Sequence, residues 1–180
     1  MKNEEKTLRF YVMTAVILLS ICAAAALVLA GLNMLTADRI AENKAAEERN
    51  AMLALFADAD SFEKLGYESD EVRSAYAVIK GGKTVGYVFN TSTTGFSDQI
   101  VMAVGMDADG VLTGVKVVST AETTGFSNEQ KRNEYLSKYV GSTGSTHVDA
   151  ISGATKSSNA AARAIEAAFG AYRTITKGDA

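Results

Sequence analysis

From Phe10 to Leu35 the chain holds no charged residue, and this one run limits what it can fold into more than any other feature. A helix needs roughly 20 apolar residues to cross a bilayer, so the run is long enough to span and leaves the rest of the chain to build a separate body. The apolar core of a cleaved leader is only about 7 to 15 residues. The length therefore predicts a retained transmembrane helix over 10–35, preceded by a short tail over 1–9. Cys22 lies inside the run, and the bulky Ile21 before it stands where a lipoprotein signal wants a small residue. Cys22 reads as an ordinary helix residue facing lipid or a neighbour. Ser20 with Ala24 and Ala26 with Ala30 would let another helix come close, although a plain alanine-rich anchor explains the same spacing. Lys2, Lys6 and Arg9 before the run are matched by Arg39, Lys44 and Arg49 after it. The terminal amine on one side, and Asp38, Glu42, Glu47 and Glu48 on the other, tip the balance towards a cytoplasmic N-terminus and an extracytoplasmic domain.

Once the span is set aside, 180 residues leave room for one domain with one core. A net charge of −3 gives no basic surface to neutralise a phosphate backbone, which argues against nucleic acid as a partner. With one cysteine inside the span and one histidine, His147, the domain has neither an internal disulfide nor a thiolate metal site. No carboxylate cluster has ligand spacing, so no metal is expected.

Residues 36–57 contain good helix formers and no breaker, which predicts a stalk helix docking through Met52, Leu55 and Phe56. The stretch 61–73 is polar and irregular. Four apolar runs follow: Ala75 to Lys80, Val85 to Asn90, Ile100 to Met106 and Val111 to Val118. Gly81-Gly82 and Asp107-Ala108-Asp109-Gly110 between them are hairpin turns, so the sheet is antiparallel. Ile100, Met102, Val104 and Met106 share one face while Val101 and Ala103 line the other, which predicts a central strand covered on both sides. Asn128 to Tyr139 reads as a polar surface helix. Ser157 to Ile175 aligns Ala161, Ile165, Ala168, Phe169 and Tyr172 on one stripe, opposite Asn159, Arg163 and Glu166. The expected fold is α+β: one N-terminal transmembrane helix, then a small domain over 58–180 with an antiparallel sheet flanked by helices.

Asp149-Ala150-Ile151-Ser152-Gly153-Ala154-Thr155, followed by Lys156, stands just before that last helix. A turn of small residues feeding a helix start offers unpaired N–H groups and the positive end of the helix dipole, a place that accepts an anion. Gly153 and Ala154 remove bulk so that a phosphate could approach the backbone, and Lys156 adds a cation. Ser152 and Thr155 bring hydroxyls to the same turn. Taken alone, Ser-Gly-Ala-Thr is also what a simple helix cap looks like.

The seven-residue pattern with its leading Asp149 resembles the recognition sequence of the FAD-dependent flavin transferase, whose final Thr or Ser receives FMN in phosphoester linkage. Position by position, Thr155 is the acceptor that this resemblance implies, and Asp149 the recognition residue. Glu122-Thr123-Thr124-Gly125 resembles the Glu-Thr-Pro-Gly loop of the same FMN-binding domain family, with Thr124 in place of proline, and Gly95-Phe96 resembles that family's Gly-aromatic-small loop. Each of these two loops would pass for an ordinary turn if read singly. The order of parts is similar to that of the G subunits of Rnf electron-transport complexes. The C subunits of the sodium-pumping NADH:quinone reductase share the domain but are longer.

This resemblance implies a membrane-anchored carrier holding covalent FMN, which relays electrons in an ion-translocating ferredoxin:NAD⁺ oxidoreductase. Its partners would be the other membrane and redox subunits, membrane lipid and a flavin transferase. Ser152, Gly153 and Ala154 would hold the phosphate, Lys156 would neutralise it, and Glu122 to Gly125 would lie near the ring or ribityl chain. His147 reads as a surface residue with nothing nearby to orient it. Two other functions suit the same architecture: a tethered sensor or adaptor without a cofactor, and a stand-alone extracytoplasmic flavin reductase.

Overall fold

The computed structural model describes residues 2–122 and 125–178, with side chains from residue 9 onward. The elements run α1 Lys2–Leu55, β1 Ser61–Leu65, β2 Val72–Lys80, β3 Lys83–Thr94, β4 Gln99–Asp107, β5 Leu112–Thr120, α2 Glu129–Ser137 and α3 Thr155–Gly178. The chain forms two compact units, one ending at Ala45 and a second beginning at Ala46. In the first, α1 exposes the apolar side chains of its expected span, and it is long and apolar enough to cross a membrane.

The second unit is built on a five-stranded antiparallel sheet in the order β1-β2-β3-β4-β5, each strand paired with its neighbour in sequence. Lys80 pairs with Lys83 across Gly81 and Gly82, whose φ angles of 59° and 74° allow the two-residue turn that matches strand twist. At the other expected hairpin, Asp107 Oδ1 accepts the N–H groups of Asp109 at 2.9 Å and Val111 at 2.8 Å, which fixes the loop into β5.

Both faces of the sheet are covered. On one face Phe89, Ile100, Met102, Val104 and Met106 meet Ala161, Ile165, Ala168 and Phe169 of α3, so the expected stripes on both elements form the larger core. Thr93 Oγ1 donates to the Ala160 carbonyl at 2.9 Å and ties β3 to α3. On the other face Val78, Val88 and Ala103 pack with Ala51 and Met52 of α1, and with Leu55 and Phe56 beyond. Glycines make this docking possible: a Cβ on Gly86 would come within 2.9 Å of the Phe56 ring, and one on Gly114 within 2.9 Å of Leu55.

Three details differ from expectation. Strand β1 lies where the sequence shows only irregular chain, because an edge strand with just Phe62 and Leu65 half-buried is held by its backbone ladder to β2 and carries no alternating apolar pattern. The strand from Ile100 to Met106 is interior and buried on both sides, but β3 occupies the middle of the sheet. And α2 is not merely a surface helix, since it buries Tyr135 and Leu136.

Candidate functional site

Residues Ile151 to Ala154 make a turn closed by the Ala154 N–H on the Ile151 carbonyl at 2.9 Å. Gly153 has φ +77°, which a turn with positive φ at its third position requires. Helix α3 then starts at Thr155, so the residue at the cap position is Ala154, whose methyl cannot cap. This removes the simple capping account. Among the described residues neither Ser152 nor Thr155 has a hydrogen-bond partner for its hydroxyl, and both side chains are exposed.

The N–H groups of Thr155, Lys156 and Ser157 likewise have no acceptor among the described residues; the first bond of the helix is Ser158 N–H to the Ala154 carbonyl at 2.9 Å. No acidic residue stands in the first turn to oppose the helix dipole. The turn behind it is nonetheless firmly held. Ser158 Oγ accepts the Ile151 N–H at 3.1 Å, and the Tyr135 hydroxyl donates to the Ser158 carbonyl at 2.9 Å. A fixed helix start with free donors and a free hydroxyl suits a phosphate ester.

A cleft of about 320 Å³ opens at this point, lined by Phe96, Glu122, Gly153, Ala154, Thr155, Lys156 and Ser157. Its far wall is the loop after β3. Phe96 stands 64% exposed there, with Lys156 Nζ 5.4 Å from its ring centroid. The cation of Lys156 thus lies over an aromatic face.

Glu122 joins the two walls. Its side chain is buried, Oε1 accepts the N–H groups of Phe96 and Ser97 at 2.9 Å and of Asp98 at 3.2 Å, and Oε2 accepts the Ser157 hydroxyl. Burial alone would push this carboxyl up, but the Ser157 hydroxyl and the amides of Ser97, Asp98 and Phe96 outweigh it and hold the group below its ordinary value. Gly95 leaves the necessary room, since a Cβ there would collide with Oε1. On the other side of the loop, Gly125 has φ +68° and would place a Cβ 2.8 Å from Ala154 Cβ, so this part of the chain packs directly on the turn before α3.

The structure therefore brings Gly95, Phe96, Glu122, Gly125, Ser152, Gly153, Ala154, Thr155 and Lys156 to one place, from three separate parts of the chain. Thr123 and Thr124 lie outside the described residues. Asp149 sits apart on the surface, 3.5 Å from His147 Nε2, so His147 does have a neighbour, though both side chains are almost wholly exposed. The carboxylate of Glu122 is occupied by protein donors on both oxygens. The residue that sequence reading passed over is Ser157: its partner is 35 positions away, and no local pattern marks such a pair. Among the described residues no group of His, Cys, Asp and Glu could hold a metal ion.

The FMN-binding domain model matches residues 95–170, a stretch that contains every residue lining the cleft. Over nearly its whole length the chain is similar to the G subunit of the Na⁺-translocating ferredoxin:NAD⁺ oxidoreductase complex of Acetobacterium woodii, with 29% identity covering 89% of this chain and 91% of the relative. It is also similar to the G subunit of the proton-translocating ferredoxin:NAD⁺ oxidoreductase complex of Clostridium ljungdahlii, with 26% identity covering 87% of this chain and 89% of the relative.

Proposed function

We propose that the chain, whose residues 95–170 match the FMN-binding domain model, is the G-type subunit of a membrane-bound ferredoxin:NAD⁺ oxidoreductase complex and carries FMN esterified to Thr155. The observation that carries this reading is the exposed Thr155 hydroxyl at the first position of α3, which has no partner among the described residues, beside three backbone donors without acceptors there. A hydroxyl that capped the helix would be engaged; this one is left for chemistry. The two relatives, named as G subunits of such complexes, support the assignment to an assembly.

Attachment is a phosphoryl transfer from FAD. The Thr155 oxygen bonds to the flavin-side phosphorus, the pyrophosphate bond breaks, AMP leaves, and the hydroxyl proton goes to a base of the transferase. The exposed Asp149 is the element read by that enzyme. The amides of Thr155, Lys156 and Ser157 would hold the phosphate of such an ester, at the end of a 24-residue helix whose dipole favours negative charge. Gly153 keeps that approach open, since a Cβ added there would meet nothing within 4 Å, and Lys156 supplies a nearby positive charge. Phe96 offers an exposed aromatic face across the cleft.

When bound, FMN supplies one- and two-electron redox chemistry; the protein contributes its position and surroundings. The chain converts no substrate of its own and passes electrons between partner subunits as a non-autonomous part of an ion translocase. The N-terminus lies in the cytoplasm and the domain outside, where a covalent bond prevents loss of the cofactor to dilute surroundings.

Intact-mass analysis of the full chain produced with and without a flavin transferase tests the reading. We expect the mass of one FMN, less water, only with the transferase, lost in Thr155→Val and kept in Thr155→Ser. An unmodified native chain, or flavin retained in the valine variant, would overturn it. Isolation of the chain with multi-span membrane subunits distinguishes a complex subunit from a stand-alone reductase.

A further inference from the structure

Glu122 lies in the flavin cleft, yet both of its carboxylate oxygens are already claimed by the protein. One oxygen receives the amides of Phe96, Ser97 and Asp98; the other receives the hydroxyl of Ser157. Three successive amides converging on one carboxylate oxygen form an anion nest, and here the nest is filled from within. The loop holding it, closed by the Gly95 N–H on the Asp98 carbonyl at 2.8 Å, is the loop that presents Phe96. Ser157 is the third residue of α3, two positions after the Thr155 acceptor. A single buried side chain therefore bridges the aromatic wall and the attachment wall.

We propose that Glu122 and Ser157 are positioning residues that hold the Phe96 loop at a fixed distance from the Thr155 ester, so that the flavin ring is confined even though its only covalent bond is at the far end of the ribityl phosphate. This rests on the FMN-Thr155 reading. An ester alone leaves a chain of rotatable bonds between helix and ring; the second wall removes that freedom without touching the cofactor through a carboxylate. Two independent features of the fold serve the bridge. Gly95 is the residue whose Cβ would collide with Glu122 Oε1, and Gly125 packs against the attachment wall, where a Cβ on it would come within 2.8 Å of Ala154 Cβ.

Length and charge can be separated at this position. In Glu122→Gln the side chain keeps its reach: its carbonyl oxygen accepts the loop amides and its NH₂ donates to the Ser157 hydroxyl. In Glu122→Asp the charge is kept, but the shorter side chain reaches only one wall. Time-resolved fluorescence anisotropy of the attached flavin, measured on the full chain in detergent, reports local ring motion. We expect a fast component to grow in Glu122→Asp and Ser157→Ala and to stay near native in Glu122→Gln, with the mass added by flavin attachment the same in all three. Equal ring motion in every variant would overturn the proposal, as would Gln loosening the ring as much as Asp, which would mean that the charge acts on the flavin directly. Amide hydrogen exchange on the unmodified full chain tests the bridge by itself. Phe96, Ser97 and Asp98 should be protected in the native chain and lose at least about tenfold of that protection in Ser157→Ala; unprotected amides in the native chain would overturn the bridge whether or not flavin is ever attached. Absence of flavin from the native chain made with the transferase, with those amides protected, would instead reject the underlying function and leave the bridge standing.

Discussion

Single residues in this domain are placed by what surrounds them more than by their own preference. Gly125 combines a left-handed φ of +68° with a Cβ path blocked by Ala154, so both conformational strain and overlap oppose any side chain there. Gly125→Ala should lower unfolding stability by about 1–3 kcal/mol, measured by denaturant titration, and flavin attachment should fall with it. Gly153→Ala meets no neighbour and should cost less in stability, though its φ of +77° still disfavours alanine. Glu122 gives the domain an acid limit. Its carboxyl is held below its ordinary value of 4.5 in the folded state, so the stability it contributes is complete above that value and is lost as pH falls through the folded pKa. Thermal unfolding followed from pH 6 downward should show a decline below about pH 4.5 that is shallower in Glu122→Gln.

At the scale of elements, sequence reading succeeds where periodicity is strong. The stripe on α3, the two turns and the alternation along β4 are local patterns, and each reappears in the fold. Strand β1 is not legible, because its order comes from a neighbouring backbone and not from its own side chains. Helix α3 starts two residues before the position its stripe indicates, since a helix without a side-chain cap carries no signal at its first residue. For the site, the motif around Thr155 is visible but the bridge from Glu122 to Ser157 is not, as it depends on which loops the sheet brings together. Helix α2 illustrates the same point: a polar segment whose Tyr135 hydroxyl reaches the Ser158 carbonyl and pairs with Tyr139 at 2.9 Å. Burial and this pairing push the Tyr135 hydroxyl far above its usual pKa, so it stays a neutral donor. Tyr135→Phe removes that donor and should destabilise the domain by about 1–3 kcal/mol. Calorimetry on the variant would measure it, and amide exchange should quicken in the first turn of α3 above all.

For the molecule as a whole, the boundary at Ala45/Ala46 makes a sharp prediction. A chain beginning at Ala46 keeps Ala51, Met52, Leu55 and Phe56, which cover the second face of the sheet, and should be soluble, cooperative in unfolding and competent for flavin attachment. A chain beginning at Ala57 loses that cover, exposes Val78 and Val88, and should aggregate or unfold at markedly lower temperature. Size-exclusion chromatography and circular dichroism on the two truncations separate these outcomes.

Each strand after β1 pairs with the strand made just before it, and Thr155 opens the last helix of the described residues. During synthesis the sheet can therefore zip up hairpin by hairpin while the C-terminal helix is still to come. The threonine joins its cleft only when that helix lands, so a transferase that needs the assembled turn would pass over unfinished chains. Flavin on this protein would then serve the cell as a stamp of completed folding.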